Sequence, residues 1–311
     1  MELVNFNNAR EIAPEYNGSE KKKTMILNNK KYLVKFPDPN RSTKLDISYI
    51  NNVFSEYIGS KIFKSIGFNT QEVILGVYEQ NNKKFIVCGC EDFTDNNTKL
   101  VEFEKFENAS IDPNPFKRDL NDIEHIIDSN MYNINKKNFF ENFWNMFIVD
   151  CLIGNPDRHN GNFGFLKNMK TDELSFAPIY DCGSCLYSTY SDEEIKETLN
   201  NQGKIRDCIK NTASAIRYNG TKIKYNDFIR SGISIECNNA LMRVYPNINL
   251  DDINKIIDDI NCISKARKDF YKTIIKGKYE EILTPTYKKL LKLEQKNEEE
   301  ETEEDEEEDE I

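Results

Sequence analysis

Short runs of β-forming residues dominate the first third of the chain. The runs TMIL (24–27), KYLVKF (31–36), EVILGVY (72–78) and KFIVCGC (84–90) are rich in β-branched and aromatic residues, which predicts strands. Asn28-Asn29 and Asn81-Asn82 stand between consecutive runs, where hairpin turns are required. Between the second and third runs the period changes. Ile50, Val53, Phe54, Tyr57, Ile58, Ile62 and Phe63 recur at helical spacing, and Gly67 can end that helix in the left-handed conformation. The first third therefore predicts a small sheet with one helix.

From about residue 97 the pattern turns helical. FFENFWNMFIVDCLIG (139–154) is apolar on most faces, which predicts a buried helix. IEHIID (123–128), DEEIKETLNN (192–201) and LDDINKIIDDI (250–260) predict further helices, the last with Asp251 and Asp252 in a first turn that favours negative charge. EEILTPTYKKLLKLEQK (280–296) predicts another, started afresh at Pro285. One hairpin interrupts this region: FGFL (163–166) and LSFAPIYD (174–181), joined by the turn KNMKTDE.

Charge changes the picture only at the C-terminus. The net charge is −11, but residues 298–311 alone carry 12 acids and no base, so the rest of the chain is close to neutral at +1. An all-acidic run has almost nothing to bury, so 294–311 is expected to be a disordered tail. With no broad basic surface, direct nucleic-acid binding is not expected. No 18-residue apolar stretch exists, so no transmembrane segment is expected. MELVNFNNAREIAPEYNG lacks the basic start and apolar run of a conventional signal peptide. A cytoplasmic protein is expected, and delivery to another cell by specialised export is compatible with that. Eight cysteines in 311 residues do not make a disulfide scaffold, and with only His125 and His159 beside them a zinc site is not expected.

The remaining puzzle is NPDRHNGNFGFL (155–166), a dense polar loop pinned between the buried helix and the hairpin. Loops held by rigid elements are common seats of chemistry. Asn162 stands five residues after Asp157, and Asp181 follows the hairpin in YDCGS, giving the order D-x-x-x-x-N…D-x-G. Phosphoryl transfer from ATP requires such a set: one carboxylate to orient the substrate hydroxyl, and an amide oxygen with a second carboxylate to hold Mg²⁺. Gly183 permits a tight turn after the metal aspartate. The first third supplies complementary parts. Lys35 in its strand is suited to the α- and β-phosphates, and mid-helix Glu56 is suited to pair with it. NGSEKKKT (17–24), with Gly18, Ser19, Lys22 and Lys23, is a basic turn fit to cover phosphates. KFIVCGC leads into EDFT, a natural hinge whose backbone can hold adenine. Taken singly these residues have ordinary uses, such as capping turns or facing solvent; the ordered set is what singles them out.

YLVKFP, FSEYIGSKIF, CEDFT, LIGNPDRHNGN and APIYDCGSCLY together resemble the HipA-like serine/threonine protein kinases, and most of all the short, cell-translocating kinase type. The resemblance covers residues from about 20 to 290. It implies a protein-kinase-like two-lobed α+β fold, with a small strand-rich N-lobe carrying one long helix and a larger helical C-lobe. It further implies ATP and Mg²⁺ as cofactors and a protein substrate bearing a serine or threonine hydroxyl, with autophosphorylation possible in principle. By motif, Asp157 becomes the catalytic aspartate, His159 a motif histidine near the phosphates, Asn162 and Asp181 the metal ligands, and Lys35 a phosphate contact. Glu91 and Phe93 become hinge residues for adenine. The expected limits are 1–94 for the N-lobe, 95–293 for the C-lobe and 294–311 for the acidic tail. An antitoxin partner is not expected, because the extra N-terminal subdomain that contacts it in HipA has no counterpart here. Two other readings stay open at this point. DRHNGN is also very like the loop of phosphoinositide kinases, although Cys182 replaces the phenylalanine that follows the metal aspartate there. A non-catalytic pseudokinase scaffold is the third.

Overall fold

Both Asn-Asn pairs form turns with every residue left-handed, φ being 50° and 62° at Asn28-Asn29 and 52° and 57° at Asn81-Asn82. Two such residues in succession match the twist of the flanking strands, and asparagine tolerates the conformation. The structure, a computed structural model, describes residues 2–13, 21–37, 51–109, 119–129 and 134–309.

The chain opens with β1 (Val4–Asn5), β2 (Arg10–Ile12), β3 (Lys22–Leu27) and β4 (Lys30–Lys35). Then come α1 (Asn52–Ser65), β5 (Val73–Gln80) and β6 (Lys83–Glu91). These strands make one six-stranded sheet in the order β1-β5-β6-β4-β3-β2, antiparallel except for the β1–β5 pair. Alternation gives the sheet two apolar faces. Met25, Tyr32, Val34, Phe36 and Val87 form a small cluster around Phe6 on one face. The Phe6 ring lies against Gly76 and Gly89, where a Cβ at either position would collide with it, so the sheet can fold around the ring. The other face, with Val73, Leu75, Cys88 and Cys90, packs with α1 into the main core. α1 ends as expected, with Gly67 just beyond it at φ 101°.

The helical part begins with β7 (Thr98–Glu102), α2 (Phe103–Ala109), α3 (Leu120–Asp128) and α4 (Lys136–Ile153), followed by β8 (Gly164–Asn168) and β9 (Leu174–Phe176). After these come α5 (Asp192–Leu199), α6 (Gln202–Lys210), β10 (Ala213–Tyr218), β11 (Thr221–Lys224), α7 (Tyr225–Ser231) and α8 (Ile235–Val244). α9 (Leu250–Asp258), α10 (Lys265–Lys278) and α11 (Thr284–Asp309) close it. α4 is the buried helix, with Phe143, Trp144, Phe147, Val149 and Leu152 all shielded from solvent. The architecture is α+β with a strand-rich and a helical part, as the sequence predicts.

In the helical part three details differ from expectation. The hairpin after α4 gains β7 as a third strand, in the order β7-β8-β9, and β9 stops at Phe176 because Pro178 follows. The β10–β11 hairpin interrupts the helices at a place where the sequence reading had none. The acidic run, expected to be disordered over 294–311, is instead a continuation of α11 as far as Asp309. Glutamate is a good helix former, and Lys296 pairs with Glu300 one turn on at 3.1 Å. The restart at Pro285 is present: a π-helical turn, Tyr279–Leu283, precedes α11, with the Thr284 amide bonding back to the Tyr279 carbonyl. Proline has no N–H for the regular ladder, and the wider turn absorbs the loss.

Candidate active site

A carboxylate inside an otherwise apolar helix organises the polar loop. Asp150 is fully buried near the end of α4, and Arg158 from the loop folds back onto it, Nε to Oδ2 at 2.9 Å and Nη2 to Oδ1 at 3.1 Å. Two buried charges are tolerable only when they meet each other and their remaining hydrogen-bond capacity is filled. Asn155 completes the arrangement, donating Nδ2 to Asp150 Oδ1 at 2.9 Å and accepting from the Asp157 amide at 3.1 Å. The turn out of α4 runs through Gly154 in the left-handed region, φ 62°.

Arg158 also joins the loop to the segment after the hairpin. Its Nη1 donates to the carbonyl of Asn162 at 2.8 Å and to that of Tyr180, the residue before Asp181. Asn162 and Asp181 are thereby brought to one guanidinium. Asn162 Nδ2 donates to the Asp157 carbonyl at 2.8 Å, which leaves Oδ1 on the far side of the side-chain amide from that bond. Asp157 Oδ2 accepts from the Ser184 hydroxyl at 3.2 Å. His159 Nδ1 accepts from the Gly161 amide at 3.0 Å, so the hydrogen-bond network assigns its ring proton to Nε2.

The sheet presents Lys35 to the same place. Lys35 Nζ lies 2.7 Å from Glu56 Oε2 and 2.6 Å from Asp181 Oδ1. Glu56, buried in the middle of α1, uses its second oxygen to accept from the Cys182 amide at 3.1 Å. One carboxylate therefore fixes both the lysine and the turn that carries Asp181. Asp181 itself adopts the left-handed conformation, φ 56°. The expected turn thus falls on the aspartate. A Cβ at Gly183 would stand 3.1 Å from Glu56 Oε2, a tight contact on the carboxylate that holds Lys35. Burial pushes the Asp181 carboxyl up, but Lys35, Arg158 and His159 outweigh it and hold it below its ordinary value. It is an anion throughout the neutral range.

The other sequence candidates divide. Lys22 stands opposite Lys35 in the β3–β4 register and so shares its face. Lys23 stands opposite Val34, on the other face, and its Nζ donates to Glu11 at 2.8 Å and to the Tyr78 hydroxyl at 3.1 Å. The structure does not bring Lys23 to the site, because successive strand residues point to opposite sides. Gly18 and Ser19 lie outside the described residues. Glu91 ends β6 with its amide bonded to the Glu72 carbonyl at 2.8 Å, and its own carbonyl accepts from Gln71 Nε2 at 3.0 Å with one lone pair left. The Phe93 ring lies 5.9 Å from that of Tyr180.

Asp150, Asn155, Arg158 and Ser184 were not among the sequence candidates. A lone aspartate in an apolar helix is a signal for the first three, since a buried carboxylate demands a cation. Ser184 has no such signal. No group of three or more His, Cys, Asp or Glu residues able to hold a metal occurs among the described residues. The Asn162 amide oxygen and the second Asp181 carboxylate oxygen are hard donors that fit Mg²⁺, which keeps several waters and needs few protein ligands.

Comparison with known proteins sets this geometry in a family. The sequence model of the HipA-like C-terminal domain matches residues 16–261. The serine/threonine-protein kinase CtkA of Helicobacter pylori (strain J99) is 38% identical over 274 residues, 87% of this chain and 82% of that protein. The crystal structure of a Helicobacter pylori proinflammatory kinase CtkA superposes with a TM-score of 0.85 at 34% identity, covering 94% of this chain and 99% of that one. HipA of Shewanella oneidensis MR-1, solved with HipB and its operator DNA, superposes at 0.55 with 14% identity over 88% of this chain and 67% of that one, a likeness of fold alone.

Proposed function

The chain belongs to the family of HipA-like C-terminal domains, and on that premise we propose that it is a serine/threonine protein kinase that transfers the γ-phosphoryl group of ATP to a protein hydroxyl. The observation that carries the reading is the meeting of Lys35, Glu56 and Asp181 beside a loop that also holds Asp157 and Asn162. The parts come from regions far apart in sequence, and phosphoryl transfer uses each of them. The intact set speaks against a pseudokinase.

The roles follow from chemistry and position. Lys35, held by Glu56, binds and orients the α- and β-phosphates, with Lys22 on the same face of the sheet. The Glu91 carbonyl and the backbone near Phe93 receive adenine. Asn162 and Asp181 would hold Mg²⁺, which when bound neutralises charge on the phosphate oxygens. Asp157 orients the acceptor hydroxyl and takes its proton as the acceptor oxygen bonds to phosphorus and the bond to ADP breaks. His159, with Nε2–H available, can donate toward the phosphates. Residues 1–94 act as the nucleotide lobe and 95–293 as the lobe that carries the catalytic loop. The cytoplasm is its proposed place of work, with delivery to another cell by specialised export compatible with that; no described helix is long and apolar enough to cross a membrane.

The test is incubation of purified protein with γ-labelled ATP and Mg²⁺, with added protein acceptors or phosphoinositide vesicles. Label on serine or threonine of the acceptors, or of the protein itself, supports the proposal. Label on lipid alone, or none, defeats it.

A further inference from the structure

A cavity of about 650 Å³ opens beside the catalytic loop, bounded by the segment after Asp181, by α5 and α6, and by the β10–β11 hairpin. Pro156 and Ser184 both line it, and both adjoin Asp157: Pro156 precedes it in the chain, and the Ser184 hydroxyl donates to its Oδ2 at 3.2 Å. Lys35, Glu56, Asn162 and Asp181 are not part of the lining. Asp157 itself does not line the cavity, and the Ser184 hydroxyl stands between the two, so an occupant meets Asp157 by taking the place of that hydroxyl. Its volume is that of a pocket for a small ligand or a few residues of chain.

The chemistry of the walls limits the occupant. Tyr190 supplies an aromatic surface, while Asp207 on α6 and Lys222 on β11 supply opposite charges, both solvent-exposed. Acyl chains would need an apolar lining. Charges of both signs on the walls suit an extended polypeptide, whose flanking side chains can be selected by charge. Ser184 indicates what fits at that end, since it places a hydroxyl donor on the oxygen that an acceptor hydroxyl would use.

Resting on the kinase reading above, we propose that this cavity is the acceptor groove. It binds a polypeptide segment whose serine or threonine hydroxyl replaces Ser184 at Asp157, and Asp207 and Lys222 select the residues flanking that hydroxyl.

The test uses the full-length protein, ATP with Mg²⁺, and a degenerate peptide library with a fixed central serine or threonine. Asp207→Lys and Lys222→Glu change exposed residues and should leave folding and ATP affinity as they are. At one or more flanking positions the ratio of lysine to glutamate selected should fall about tenfold in Asp207→Lys and rise about tenfold in Lys222→Glu, toward residues of charge opposite to the new side chain, the effect of a difference of about 1.4 kcal/mol. Ser184→Ala should lower KM for peptide without changing KM for ATP, because the acceptor no longer competes with a resident hydroxyl. A wild-type enzyme that phosphorylates the library, with variants whose selection profile is unchanged, overturns the groove and leaves the kinase reading standing. A wild type that labels protein acceptors or itself but no peptide also overturns the groove alone, and one that labels none of these overturns both.

Discussion

Lys35 and Asp181, 146 residues apart in the chain, meet with Nζ 2.6 Å from Oδ1. The strand-rich part supplies the cation and the helical part the anion, so the contact ties the two parts at the point where phosphate and metal would sit. Asp181→Asn keeps the side chain's size and removes its charge. Phosphoryl transfer should fall by roughly 10²–10³-fold, the scale of losing one preorganised electrostatic contact, and Mg²⁺-ATP should bind more weakly. Calorimetry and labelled-phosphate assays check this. Full transfer at ordinary Mg²⁺ would remove Asp181 from the metal role.

Arg158 and Asp150 form the loop's hidden frame, with side chains 2% and 1% exposed. Replacing one partner leaves the other charged, buried and alone, which costs about 3–5 kcal/mol. Arg158→Ala should therefore lower the denaturation midpoint sharply. The double variant Arg158→Met with Asp150→Leu should recover part of the loss. A double variant no more stable than either single one would show that Arg158's bonds to the loop carbonyls outweigh its pairing with Asp150.

Lys278 makes stability depend on pH in the alkaline range. Its Nζ is buried and donates to the Ile209 carbonyl at 3.0 Å and to Thr212 Oγ1 at 2.8 Å, and burial pushes the ammonium down to about 8. An unfolded lysine titrates near 10.4. Between these values the unfolded chain holds the extra proton, so this residue's contribution to stability rises with pH from about 8 to about 10.4. The gain is roughly 3 kcal/mol, at about 1.4 kcal/mol per pH unit. Urea titrations of wild type and Lys278→Met at pH 7.5, 9 and 10 should show wild type gaining on the variant as pH rises. A constant difference would mean that the amine keeps its proton in the fold.

The elements legible in the sequence were those with a strong local period. α1 and α4 announce themselves by spacing, and each asparagine pair marks its turn. β1 and β2 were not legible because they are two and three residues long, and β1 has its partner in β5, some 70 residues on. In the site, the order of Lys35, Glu56, Asp157, Asn162 and Asp181 was readable because the chemistry requires those types in that sequence. The separation of Lys22 from Lys23 was not, since alternation gives the two faces but only strand register says which one meets Lys35. Ser184 was invisible because its hydrogen bond spans 27 residues and nothing local requires it.

In the proposed mechanism Asp157 receives the acceptor hydroxyl while Lys35, Asn162 and Asp181 serve the nucleotide. The direct measurement pairs Asp157→Ala with His159→Ala, each assayed for ATP affinity by calorimetry and for transfer by labelled phosphate. Asp157→Ala should bind ATP nearly as wild type does, with transfer lower by about 10²–10⁴-fold, the usual contribution of a positioned general base. His159, whose Nδ1 is engaged by its own loop, should keep measurable transfer when replaced. Wild-type transfer in Asp157→Ala, or complete loss in His159→Ala alone, would contradict the assignment.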